Sequence, residues 1–129
     1  MKAQVYEDEK GKRPFDEWFK GLPADYAVKV QSVVGKLEAG HKSGLKPVGK
    51  VQEWRIDWGP GIRVYINFDG DKIVLLLGGG TKSRQSDDIE KAEERWADYL
   101  RRKKAATKKT TPTTKDKTKT KATKKARGK

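Results

Sequence analysis

The sequence predicts an α+β domain: a helical hairpin packed on a small antiparallel β-sheet, a C-terminal helix, and a disordered basic tail. Three observations carry this. Apolar residues recur at helical spacing between Phe15 and Leu37, they alternate at spacing two between Trp54 and Phe68, and the charge separates near residue 100. The 129 residues hold 31 Lys+Arg against 18 Asp+Glu, a formal net charge of +13. Of these, 14 basic residues and one acid, Asp116, fall in 101–129, so residues 1–100 carry 17 of each sign. The first hundred residues also hold 39 of the 43 apolar residues, enough for one core. The expected division is a folded domain over 1–100 and a Lys/Thr-rich tail over 101–129, with the last helix ending by about 104.

Ala3 to Tyr6 is short and β-prone and reads as an opening strand. After the turn-like Lys10-Gly11-Lys12, Pro14 suits an early helical position, where its missing N–H is not needed. Phe15, Trp18, Phe19 and Leu22 form one helical stripe, ended by Gly21 and Pro23. Tyr26, Val30, Val33, Val34 and Leu37 form a second, with Gly40 as its stop. His41 to Lys50 reads as a basic loop.

The period then changes to two. Trp54, Ile56 and Trp58 alternate with Glu53, Arg55 and Asp57; after Gly59-Pro60-Gly61, Ile62, Val64, Ile66 and Phe68 alternate with Arg63, Tyr65 and Asn67. Apolar residues share a face only if paired positions have an even sum. A three-residue turn gives Trp58 with Ile62 and Ile56 with Val64, which places Glu53, Arg55, Asp57, Arg63, Tyr65 and Asn67 together. Asp69-Gly70-Asp71 is a further turn, and Lys72 to Leu77 a strand covered on both faces, stopped by Gly78 to Gly80. Ser86 is placed to cap a last helix whose buried stripe is Ile89, Ala92, Trp96, Tyr99 and Leu100. Beyond about Lys104, Lys-Thr-Ala repeats offer nothing to offset the entropy of ordering.

The composition excludes several classes. With no cysteine there is no disulfide framework or thiolate nucleophile, and a reducing compartment is expected. One histidine, His41, makes a histidine-rich zinc site implausible. The longest aliphatic run, Ile73 to Leu77, is too short to span a bilayer, and MKAQVYEDEK has no signal-peptide core. A soluble, cytoplasmic protein is expected, with no membrane partner.

Pro14-Phe15-Asp16-Glu17-Trp18, Glu53-Trp54-Arg55-Ile56 and Gly59-Pro60-Gly61-Ile62-Arg63-Val64-Tyr65 occur here in that order. They are followed by Ile73 to Gly80, Lys82-Ser83, Gln85, Asp88-Ile89 and Ala92. This combination resembles the RelE/ParE toxin superfamily of type II toxin–antitoxin modules, and within it the HigB-like branch of addiction-module killer proteins. The resemblance covers nearly all of residues 1–100 and none of the tail. Ile62 stands where the family usually has an aromatic residue, and Gly80 and Thr81 where it usually has an acidic one.

The resemblance implies a ribosome-dependent endoribonuclease that cleaves mRNA by 2′-OH attack, with neither metal nor other cofactor. It implies an antitoxin partner of the helix-turn-helix type, besides the ribosome and mRNA. The alternatives are a ParE-like inhibitor of DNA gyrase and an inactive nucleic-acid-binding domain.

The candidate catalytic residues are Arg63, Lys82, Arg55, Lys50 and Glu53, and the candidate substrate contacts are Lys46, Tyr65 and Arg84. Arg63 reads either as a phosphate clamp, because its planar fork matches phosphate oxygens, or as an ion pair with Asp57 or Glu53. Arg55 shares that face and both readings. Lys82 and Arg84 follow the glycines, where functional groups are commonly placed or simply solvated. Lys46 and Lys50 serve as proton-transfer groups, RNA contacts or exposed charges, and Glu53 as general base. Tyr65 stacks on a base or packs on the sheet. His41 reads as a surface residue, and Tyr99 as a packing residue rather than the general acid. The tail's eleven lysines suit salt-dependent contact with nucleic acid, or serve only solubility.

Overall fold

Strands β1 (Lys2–Val5), β2 (Leu45–Val48), β3 (Val51–Ile56), β4 (Ile62–Asp69) and β5 (Ile73–Thr81) form one open sheet in the order β1-β5-β4-β3-β2. Only β1 pairs in parallel, with β5; the other neighbours are antiparallel. Helices α1 (Pro14–Lys20) and α2 (Ala24–Glu38) connect β1 to β2, and a 3-10 turn (Lys82–Arg84) leads from β5 into α3 (Gln85–Thr110). This computed structural model describes residues 1–59 and 61–110. The α+β class, two helices before the strand meander and the C-terminal helix are as the sequence predicts; the sheet is mixed rather than purely antiparallel, because the opening strand pairs in parallel with β5. Among the described residues no helix is long and apolar enough to cross a membrane.

The core lies between the helical hairpin and one face of the sheet. Phe15 of α1 and Val30, Val33 and Leu37 of α2 pack with Ile62, Val64 and Ile66 of β4 and Val74 and Leu76 of β5. Each is at most 5% exposed, which the helical and two-residue periods of the sequence require. The other face of β4 and β5 is buried too, with Tyr65, Leu75 and Leu77 at 1% or less. The start of α3 covers it, which explains the unbroken apolar run of β5.

Several details differ from expectation. The segment read as a loop over 41–50 contains β2. It is an edge strand with Lys46 and Pro47, and edge strands carry the residues that also mark loops. Gly49, at φ +62°, opens the two-residue turn between Val48 and Val51. The hairpin pairs Ile56 with Ile62 and Trp54 with Val64, not Trp58 with Ile62. The even sum holds, but β3 ends at Ile56 and β4 starts at Ile62, so Asp57 and Trp58 leave the sheet.

The strand expected to stop at the glycines runs through them to Thr81, with a bulge after Leu76. Each glycine admits a neighbour that a methyl would block: Arg95 at Gly78, the Trp18 ring at Gly79 and the Asp88 carboxylate at Gly80. The last helix starts at Gln85, so Ser86 lies inside it. It also runs to Thr110, past the expected end, because lysine and alanine are strong helix formers.

One compact unit covers Met1–Ala97 and a second begins at Asp98. In the described part of the second, Asp98 accepts from Arg101 Nη2 at 2.7 Å and pairs with Arg102 Nη2 at 2.8 Å, one helical turn away. Leu100, expected in the buried stripe, is 43% exposed. Of the disorder expected beyond about Lys104, residues 105–110 are instead helical, and 111–129 fall outside the described residues.

Candidate functional site

The β3–β4 register decides which polar side chains meet. Alternation puts Glu53 and Arg55 on one face of β3; pairing sets Glu53 against Tyr65 and Arg55 against Arg63. Two arginines directly opposite would repel. Glu53 resolves this: its Oε1 accepts from Arg55 Nε at 3.1 Å and from Arg63 Nη1 at 3.1 Å. Its Oε2 accepts from Gln85 Nε2 at 2.9 Å, at the first residue of α3. Glu53 is fully buried, and the Arg63 side chain is 7% exposed against 43% for Arg55. Of the two ion-pair partners considered for Arg63, the structure selects Glu53.

The first turns of α3 close this layer from above. Lys50 N–H donates to Glu93 Oε2 at 2.8 Å, and Arg95 Nη1 donates to the Leu77 carbonyl at 2.9 Å. Burial lowers the Arg95 pKa below the usual guanidinium value. Asp88 packs against Gly80, and its burial raises its carboxyl above the usual range. Burial likewise raises the Tyr65 phenol, with the charges of Glu53 and then Asp88 adding to the shift. Three buried polar atoms in this layer have no hydrogen-bond partner among the described residues: Arg63 Nε, Tyr65 Oη and Asp88 Oδ2.

The candidates therefore fall into two groups. Glu53, Arg55, Arg63 and Tyr65 are brought together, with Lys46 in register with Glu53 on β2 and exposed. Lys82 and Arg84, both exposed, leave the sheet at the end where Ile56, Ile62 and Thr81 align. Lys82 N–H donates to the Gly61 carbonyl at 3.1 Å, tying the 3-10 turn to the hairpin loop. Lys50 is exposed in the β2–β3 turn, about 17 Å along the strand from Arg55, and is not brought to that end. His41 is exposed, as read.

Sequence reasoning missed Gln85, Asp88 and Arg95 as parts of this layer. Gln85 and Asp88 stood only within the run that carries the resemblance. Arg95 sits beside Trp96 on the helix, and the opening that receives it is the absent side chain of Gly78.

Chemically, the layer presents one partly exposed guanidinium, Arg55, locked at its Nε by a buried carboxylate. A second guanidinium lies behind it and two flexible cations stand at the sheet end. That arrangement suits binding of a phosphodiester.

No family model and no solved structure matches the chain. It is similar to an uncharacterised protein of Haemophilus influenzae, at 37% identity over 81 residues, covering 61% of this chain and 82% of that protein. At that identity and coverage, the chain belongs to the same family as the Haemophilus influenzae protein.

Proposed function

We propose that this chain is the toxin of a type II toxin–antitoxin module, of the RelE/ParE superfamily and its HigB-like branch. It acts in the cytoplasm as an endoribonuclease on ribosome-bound mRNA, and a helix-turn-helix antitoxin neutralises it. The observation that carries this reading is the Arg55–Glu53–Arg63 bridge at the end of the sheet where Lys82 and Arg84 emerge. Phosphodiester cleavage needs cations fixed where the phosphorane gathers charge, and strand-borne arginines held by a carboxylate are fixed.

In the proposed reaction the ribose 2′-OH loses its proton and its oxygen bonds to phosphorus. The P–O5′ bond breaks and O5′ takes up a proton, leaving a 2′,3′-cyclic phosphate and a 5′-OH. Arg55 binds a non-bridging oxygen, Arg63 supports it from behind, and Lys82 and Arg84 hold the strand. Glu53, buried with both oxygens engaged, serves as the positioning residue for the arginines. Requirement for a 2′-OH restricts the substrate to RNA.

One observation favours a second reading. Glu53 and Tyr65, two side chains suited to proton transfer, are 0% and 1% exposed. That favours a domain that holds RNA without cutting it.

Primer extension on translating ribosomes, comparing the full chain with Arg55→Ala and Arg63→Ala, separates the two. Cuts within codons that both variants lose are expected of the nuclease. Intact mRNA with the unaltered chain, together with retained RNA binding, establishes the second reading.

A further inference from the structure

Past Trp54, the side of β3 that β2 pairs is open, because the ladder ends at Leu45 and Trp54. Helix α2 runs along this free edge and leaves a cleft of about 220 Å³. Its charged lining residues are Lys29 and Lys36 from α2, with Ser32 between them, and Arg55 from β3, whose guanidinium is held by Glu53. Positions 29, 32 and 36 are three and four residues apart, so they share one helix face. Neither lysine forms an ion pair among the described residues. The two lysines are like charges around one cavity and repel, so an anion there stabilises the arrangement.

The cleft is joined to an aromatic ring. Lys29 Nζ lies 4.8 Å from the centroid of Trp58, which is 37% exposed and braced edge-on by Tyr26 at 4.8 Å. Trp58 also lines a second cavity of about 270 Å³, together with Lys82 and the acidic Asp57. Cations and an exposed ring in succession are what a single strand requires: phosphates meet charge, and any base can stack. Residues 1–100 have no net charge, so this cluster is a local feature rather than a sample of a basic surface.

We propose that the two cavities form one path for a single-stranded RNA. A phosphate lies at Lys29, Ser32 and Lys36, a base on Trp58, and the next phosphate at Lys82. That the strand is RNA rests on the function proposed above; the path itself does not.

The test is fluorescence anisotropy of a 5′-labelled twelve-nucleotide oligouridylate with the full chain, across a series of salt concentrations and without ribosomes. Lys29→Ala/Lys36→Ala should weaken binding about tenfold and reduce the log–log salt slope by roughly 0.7, for the one phosphate the two lysines share. Lys10→Ala/Lys72→Ala, with the same charge change on turns elsewhere, should have a much smaller effect. Trp58→Leu should weaken binding about fivefold or more with the slope unchanged. Lys29→Arg/Lys36→Arg should bind like the parent, and circular dichroism verifies the fold of each variant.

The path is overturned if the two double-alanine variants behave alike, which would assign binding to the tail or to bulk charge. It is also overturned if Trp58→Leu binds as the parent does, which would leave an anion site with no base contact. A chain that cuts no mRNA yet shows these losses retains the path and loses the nuclease. One that cuts mRNA but shows none of them does the reverse.

Discussion

Arg55 and Arg63 stand opposite each other on β3 and β4, and one oxygen of Glu53 holds both, at 3.1 Å from Arg55 Nε and 3.1 Å from Arg63 Nη1. Removing that carboxylate leaves a buried guanidinium uncompensated beside a second one. Breaking a buried pair from one side costs about 3–5 kcal/mol. Glu53→Ala should therefore lower the urea midpoint strongly, and Glu53→Gln, which keeps an acceptor oxygen, should lower it less. Adding Arg63→Met to Glu53→Ala should recover part of the loss. If Glu53→Ala unfolds at the parental midpoint, the bridge contributes nothing to stability.

Asp88 gives a pH dependence of defined sign. Burial raises its folded-state pKa above the usual 3.8, despite the opposing charges of Arg84 and Lys91. The folded state thus binds more protons than the unfolded one between those two values, so stability falls as pH rises through that window. Asp88→Asn removes this fall. Urea midpoints should show the variant more stable than the parent at pH 7 and not more stable at pH 3. Its position near the start of α3 favours the charge, by about 0.3–1 kcal/mol, but the upward shift shows that burial outweighs this. An equal effect of the substitution at both pH values would refute the assignment.

The parts of the fold legible in the sequence are those where one physical requirement acts alone. Parity groups Glu53, Arg55, Arg63 and Tyr65 correctly even with a loop two residues too short, because a slip of two preserves the face. β2 was illegible for the opposite reason. Lys46 and Pro47 protect a sheet edge with the same chemistry that marks a loop. The glycines at 78–80 read as a stop, since nothing local reveals that Arg95, Trp18 and Asp88 fill the space they leave. The polar face looked open for the same cause: an amphipathic helix does not state which face of a sheet it will cover.

Two glycines should respond in opposite directions to alanine. Gly35 lies inside α2 with no atom within 4 Å of where a methyl would sit. Gly35→Ala should raise stability by about 0.5–1 kcal/mol, by restricting the unfolded chain and favouring helix. At Gly79 a methyl would overlap the Trp18 ring, which packs flush on β5. Gly79→Ala should cost about 1–3 kcal/mol as α1 is displaced. Thermal melts of both variants test the pair, and the same sign for both would contradict the close approach of Trp18.

Tyr65 separates a packing role from a chemical one. Its ring is 1% exposed and its hydroxyl has no hydrogen-bond partner among the described residues. Burying an unpaired hydroxyl costs about 1–3 kcal/mol, so Tyr65→Phe should leave stability at neutral pH unchanged or raise it. Burial also holds the phenol protonated well above its usual value of 10.0. The unfolded chain releases that proton first, so parental stability falls as pH rises through 10, and Tyr65→Phe should remove its share of that fall. Urea midpoints at pH 7 and at pH 10.5 measure both effects. A loss of stability at pH 7 would mean that the hydroxyl is bonded in the folded protein. Unchanged stability with loss of mRNA cleavage would move Tyr65 from the packed layer into the chemistry.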